Sequence, residues 1–200
     1  MSSCAAKVIP WKVEGECTVA ESGITKKVLA YAMKDLMRQR PLSKITVGDI
    51  CDACDMNRKS FYYHFRDKYD LVNWIFYTDF FEEYQQQDSA LAPVDALERF
   101  CLFFQKNQAF YRSALKQTGQ NSFYEYLGDV LRPLMSGRLK AYFAHDEHFD
   151  FYVDFFVNIY RDAVVRWLMD GCKIEAHTFV RLLYRASAIV GQIAPAEETV

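Results

Sequence analysis

Residues 45–71 read ITVGDICDACDMNRKSFYYHFRDKYDL, and the punctuation of this stretch decides the fold. Thr46 can cap a helix whose Val47, Ile50, Cys51 and Cys54 fall at i, i+3, i+4 and i+7, the spacing of a single buried stripe. Asp55-Met56-Asn57 then forms a turn: Asp55 tolerates the left-handed backbone, Met56 plugs the corner, and Asn57 caps the next helix. In that second helix, Arg58 to Phe65, a step of about 100° per residue places Phe61 and Phe65 together on the core side. Lys59, Ser60 and Tyr63 lie opposite, Tyr62 and His64 flank the boundary, and Arg58 sits at the exposed N-terminal end. A helix of this length is a rod of roughly 12 Å, about the width of a B-DNA major groove. Asp67 caps a third helix whose first turn carries Lys68, where backbone N–H groups and an ammonium together would hold a phosphate. The stretch reads as a helix-turn-helix.

Position by position, Ile45-Thr46-Val47, Ile50, Ala53, Arg58 through Phe65, Lys68 and Leu71 resemble the DNA-binding domain of the TetR family of one-component regulators. The resemblance implies that Thr46, Tyr62, His64 and Lys68 contact phosphates, and that Arg58, Lys59, Ser60 and Tyr63 read bases or face the groove. One departure is Asp55, where the family usually has Gly. Farther on, NQAFYRSALKQTGQNSFYEYL (107–127) and VRWLMDG (165–171) are similar to the C-terminal region of TetR-type regulators of dihydroxyacetone-kinase operons. Some of those relatives activate transcription with a kinase-like partner instead of repressing.

The 200 residues are 51% hydrophobic, enough for a sizeable core in one small and one medium domain. No apolar run reaches the roughly 18 residues a membrane span needs, and Met1 to Val13 lacks the apolar core of a signal peptide. A cytoplasmic protein is expected. Six cysteines at irregular spacing do not form a secreted disulfide framework. The formal charge of −2 is unevenly placed: residues 25–70 hold ten Lys/Arg against six Asp/Glu, while residues 71–200 hold twelve against seventeen. That distribution suits basic heads on DNA beneath an acidic body.

Three regions are expected: a mobile arm over 1–24, the helix-turn-helix domain over 25–70, and a helical effector-binding and dimerisation domain over 71–200. Residues 1–24 show no sustained period, and Lys7 and Lys12 are the only cations an arm could carry into a minor groove. Ser22 or Thr25 opens helix 1, which ends before Pro41. A helix from Lys68 to about Gln87 connects head and body, followed by a loose polar link over 85–92. Pro93 starts helix 5, Asn107 caps helix 6 ending near Gly119, and Ser122 with Glu125 opens helix 7, which Pro133 bends or splits. Helices over about 149–170 and 175–193 follow. With no strand signal anywhere, the fold class is all-α with about nine helices.

The Tyr, Phe and Trp side chains concentrated in the body are ordinary core fillers, but buried polar tips also orient ligands. Phe104, Tyr111, Tyr126, Tyr152, Tyr160 and Trp167 are therefore the candidate lining of a pocket for an unknown small-molecule effector. The last two helices carry surplus apolar surface, so a homodimer seam is expected there, with Ala163, Trp167, Leu183, Ala186 and Ile189 in a four-helix bundle. Cys51-Asp52-Ala53-Cys54 is a C-x-x-C whose sulfurs fall on the buried stripe, and a packing role is expected over redox or zinc chemistry. His145 and His148 read as part of a solvated link, with metal binding as the alternative. No nucleophile–base pair, phosphate loop or paired carboxylates stand out, so neither catalysis nor a cofactor is expected. The expected function is a ligand-responsive repressor, homodimeric on a palindromic double-stranded DNA operator. The alternatives are an activator, or an adaptor of the same shape working through a protein partner.

Overall fold

Helix-forming stripes punctuated by caps and left-handed turns produce nine α-helices and no strand among the residues described in the computed structural model, 19–85, 93–117, 119 and 121–193. They are α1 (Val19–Gln39), α2 (Val47–Asp52), α3 (Arg58–His64), α4 (Lys68–Gln85), α5 (Pro93–Lys106), α6 (Gln108–Leu115), α7 (Phe123–Phe143), α8 (Phe149–Met169) and α9 (Ala176–Ile193). A 3-10 turn, Leu42–Lys44, joins α1 to α2. In the head, α1 packs on α2, α3 and α4. In the body, α7 and α8 form an antiparallel pair, α5 lies against α9, and α6 touches α1, α5, α7 and α8.

The turn between α2 and α3 adopts the expected geometry: Asp55 has φ 53°, and Met56 N–H closes the turn on the Cys51 carbonyl at 2.9 Å. Asn57 Oδ1 accepts the Ser60 N–H at 2.8 Å, capping α3. Phe61 and Phe65 are buried, joining Leu29, Met33, Ile45, Ile50 and Leu71. Helix α4 continues this core into the body through Phe76. Its ring lies against Phe80, Phe100, Phe103, Phe104, Tyr111 and Phe123, with centroids 5.4–6.0 Å apart.

Several boundaries differ from the sequence expectation. Residues 19–24, assigned to the arm, are helical, so α1 starts before Ser22; the rest of the arm, 1–18, lies outside the described residues, as does 86–92 of the polar link. Helix α6 ends at Leu115, short of Gly119. Asn107 does not cap α6 with its side chain; its amide donates to the Phe103 carbonyl at 2.9 Å and closes the end of α5. Pro133 does not split α7, which runs unbroken through it. The proline removes only one bond of the helical ladder, to the carbonyl of Asp129. The Ser122 cap holds as expected, its Oγ accepting from Glu125 N–H at 3.4 Å.

Left-handed backbone costs an L-residue with a Cβ roughly 1–2 kcal/mol, less for Asp, and a glycine removes that strain. Asp55→Gly is therefore expected to stabilise the protein by about 0.5 kcal/mol in urea unfolding; a loss of stability would mean that the Asp55 side chain holds the turn.

Candidate nucleic-acid interface

Helix α3 presents the outer face expected of it. Tyr62 and Tyr63 are 58% and 78% exposed, Arg58 and Lys59 are exposed, and Ser60 and His64 are half-buried. The Tyr62 ring stands edge-on to buried Phe61 at 5.5 Å, and Tyr63 stands edge-on to His64 at 4.9 Å, so each tyrosine is braced at its base with its hydroxyl outward. The Ser60 hydroxyl donates to Asn57 Oδ1 at 3.2 Å and so serves the α3 cap. Burial lowers the pKa of His64, and the nearby Lys26 ammonium lowers it further, which favours the neutral imidazole. Lys26 belongs to α1 and was missed in the sequence, because nothing local says that α1 passes His64.

At the start of α2, Thr46 forms a reciprocal box with Asp49. Thr46 Oγ1 accepts from Asp49 N–H at 3.1 Å, while Thr46 N–H donates to Asp49 Oδ2 at 2.7 Å. The Thr46 hydroxyl also donates to Asp49 Oδ2 at 2.7 Å. The Thr46 hydroxyl first, then its N–H, hold the Asp49 carboxyl down at about 2, and Arg40 pairs with it at 3.0 Å. The one carboxylate in this turn is thus committed to the cap and to Arg40, leaving Thr46 exposed at the start of α2.

Lys68 departs from its expected place. Its ammonium does not stand free for a phosphate; it donates to the carbonyls of Leu42 at 2.8 Å and Ile45 at 2.7 Å, and partial burial lowers its pKa. The cap of α4 is occupied as well: Asp67 Oδ1 accepts from the N–H groups of Tyr69 and Asp70, each at 2.8 Å. Lys68 ties α4 to the segment leading into α2. Arg58 likewise folds back, its guanidinium lying on Gly48 of α2, where a Cβ would meet Nη2 at 2.6 Å.

Polar contacts from three places tie head to body among the described residues. Leu42 N–H donates to Ser113 Oγ of α6 at 3.2 Å. Asn121, with φ 63°, sends its amide to Asp67 Oδ2 at 3.4 Å and receives the Asn73 amide on its carbonyl at 3.3 Å. Lys34 of α1 pairs with Asp79 of α4 at 2.7 Å.

The six aromatic candidates for an effector pocket do not share one place. Phe104, Tyr111 and Tyr126 gather on Phe76, at 5.7, 5.9 and 6.0 Å. Tyr152 stacks on Phe143 at 4.3 Å and donates to Asp146 Oδ2 at 3.4 Å. The Tyr160 hydroxyl lies 3.2 Å from Ser187 Oγ, and Trp167 stacks on Phe179 at 4.8 Å while donating to the Ile174 carbonyl at 2.7 Å. Eight residues of helix separate Tyr152 from Tyr160 by roughly 12 Å along the axis. Within the central group the Tyr111 hydroxyl is fully buried without a hydrogen-bond partner, and desolvation raises its pKa well above the usual phenol value.

The residues expected at a dimer seam also divide. Trp167 is 5% exposed and belongs to the chain's own core, so it cannot fill a seam; Ala163 and Leu183 are half-buried, and Ala186 and Ile189 are exposed. Exposed Phe155, Ile159 and Leu182 belong to the apolar stripes of these helices but were not assigned to the seam, because the stripe pattern alone does not tell which apolar residues the chain's own helices cover. Cys51 is buried and Cys54 half-buried, both thiols pushed up by burial, with Cys54 Sγ donating to the Ile50 carbonyl at 3.2 Å. His145 and His148 are exposed, with His148 Nε2 3.4 Å from Glu147 Oε1. Among the described residues no group of three or more His, Cys, Asp or Glu is arranged to hold a metal, and no helix is long and apolar enough to cross a membrane.

A braced, donor-rich helix beside a capped crossing helix, on an all-α frame, defines a helix-turn-helix head. Residues 32–75 match the family described as bacterial regulatory proteins, tetR family, and residues 93–188 match the transcriptional regulator C-terminal region. The two matches, over head and body, place the chain in the TetR family. The chain is 33% identical over 92 residues to the HTH-type dhaKLM operon transcriptional activator DhaS of Lactococcus lactis subsp. lactis (strain IL1403). That alignment takes in 46% of this chain and 49% of the other, so the chain spans about half the length of this curated relative. A solved structure, the dihydroxyacetone kinase operon activator DhaS, shares the fold with a TM-score of 0.59 over 85% of this chain and 96% of that one, at 20% identity.

Two expectations follow from the bonding of the head. Lys68→Met removes the ammonium from the Ile45 carbonyl and leaves the Leu42 carbonyl with the Ile45 N–H alone, and should lower stability in urea by roughly 1–3 kcal/mol without DNA present; unchanged stability would mean that these two bonds contribute nothing to the fold. The Asp49 carboxyl, at about 2 in the fold against 3.8 for the free group, contributes stability that is present above pH 3.8 and lost as pH falls through about 2. Asp49→Asn should flatten the acid limb of a stability–pH curve across that window, and an unaltered limb would refute the contribution.

Proposed function

We propose that the protein is a homodimeric operon regulator that sets two α3 helices into successive major grooves of a palindromic site. What supports a dimer is the apolar surface that α8 and α9 leave in solvent: Phe155 and Ile159 one turn apart on α8, and Leu182, Ala186 and Ile189 on one side of α9. Such a surface is covered at low cost by a second copy related by a two-fold axis, the symmetry of a palindrome. The heads then stand about 34 Å apart, and whatever alters that spacing changes DNA affinity by its difference in binding free energy between the two arrangements.

The sign proposed is activation, because the DhaS relative carries that name at 33% identity. The input proposed is a protein partner and not a small molecule held in the aromatic centre. Phe104, Tyr111 and Tyr126 already rest on Phe76, and a ligand would enter only by displacing rings in mutual contact. Thr46, Lys59, Tyr62, Tyr63 and His64 are the proposed contacts of the head with DNA.

Selection of bound duplexes from a randomised library should return an inverted repeat. Leu182→Glu and Ile189→Glu, 43% and 48% exposed in the isolated chain, should each leave the fold intact and yield a monomer in sedimentation, with operator affinity reduced at least tenfold. The reason is that a carboxylate buried in an apolar seam loses water without gaining a partner, at a cost of several kcal/mol. Folded dimers of both variants would place the interface elsewhere.

A further inference from the structure

We infer that Arg58 is a phosphate-anchoring residue, held in place by the bare backbone of Gly48, and is not a reader of base sequence. The inference rests on the DNA-binding reading above and adds to it the division of labour on the head. All three guanidinium atoms nearest Gly48 crowd the position of an absent side chain: a Cβ there would lie 2.6 Å from Nη2, 3.3 Å from Cζ and 3.4 Å from Nε. Gly48 is buried, as the folded-back Arg58 over it requires. The Arg58 charge also reaches Cys51, one turn farther along α2, where it opposes the upward shift of the thiol. Although Arg58 belongs to α3 in sequence, its charge therefore sits on α2.

In a helix-turn-helix the first helix crosses the sugar-phosphate backbone and the second enters the groove. A guanidinium lying on α2 is on the backbone side of the head, away from the base edges that Lys59 and Tyr63 face. Its planar fork suits two phosphate oxygens at once. The glycine is informative because it stands buried in the first turn of α2, where a residue with a side chain would start the helix at least as well. The absence of a side chain is accounted for if the vacancy is where Arg58 must lie. Any side chain at 48 displaces the guanidinium toward the groove or solvent.

The test uses the full-length protein and the duplex that it selects from a randomised library. Arg58→Ala should leave the selected sequence unchanged while reducing the slope of log affinity against log salt by about 0.9 per head, the loss of one phosphate contact. Gly48→Ala should match or exceed the wild type in thermal stability yet show the same loss of slope, and the double variant should bind no more weakly than Arg58→Ala alone. Lys59→Ala should instead alter the selected sequence. A changed sequence preference with an unchanged slope in Arg58→Ala would overturn the assignment, as would wild-type binding by Gly48→Ala. A wild-type protein that selected no duplex at all would overturn the DNA reading itself, an outcome distinct from failure of the two variants.

Discussion

The structure depends on the packing of one ring. Phe76 sits near the middle of α4 and is in contact with aromatic side chains from α4, α5, α6 and α7, while eight residues earlier the same helix begins inside the DNA-binding head. Burial of a phenylalanine of this kind is worth about 3–5 kcal/mol against its removal, comparable to a large part of a small protein's net stability. A helix so held cannot tilt without moving rings from three other helices. What the body does is therefore expressed at the first turn of α4.

That first turn is where the head is assembled. Lys68 holds the carbonyls of Leu42 and Ile45, which lead into the Thr46–Asp49 box at the start of α2. Asp67 caps α4 and also receives the Asn121 amide from the loop before α7. The Leu42 N–H reaches Ser113 on α6. A chain of short polar links thus joins body loops to the residues that set the angle of α2 and α3, running beside the apolar continuity through α4. In the proposed dimer, the two α3 helices change their relation to DNA through elements tied in this way.

Much of the head was legible because its determinants are local. The αL position of Asp55, the Asn57 cap and the Phe61–Phe65 core pair each follow from residues within a few positions of one another, and the structure has them as the pattern requires. The resemblance to the TetR family added residue roles that the pattern alone does not contain. Long-range partners were not legible. Lys68 was expected on a phosphate and lies on carbonyls 23 and 26 residues away, while Arg58 was expected in the groove and lies across Gly48. In the body, periodicity located the apolar stripes but not their covers, so Trp167 was expected in a seam and proves to stack within the chain on Phe179. Pro133 was read as bending or splitting its helix because propensity is local; α7 continues through it, its flanking turns held by packing along α8.

The coupling of head to body through α4 is most directly tested by native-state hydrogen exchange of Phe76→Leu, read amide by amide. The expected result is a joint loss of protection in the amides of α4, in α5–α7 and in α2–α3, with one common change in opening free energy. Loss confined to α5–α7, with α2 and α3 protected as in the wild type, would contradict it and make the head independent of the body.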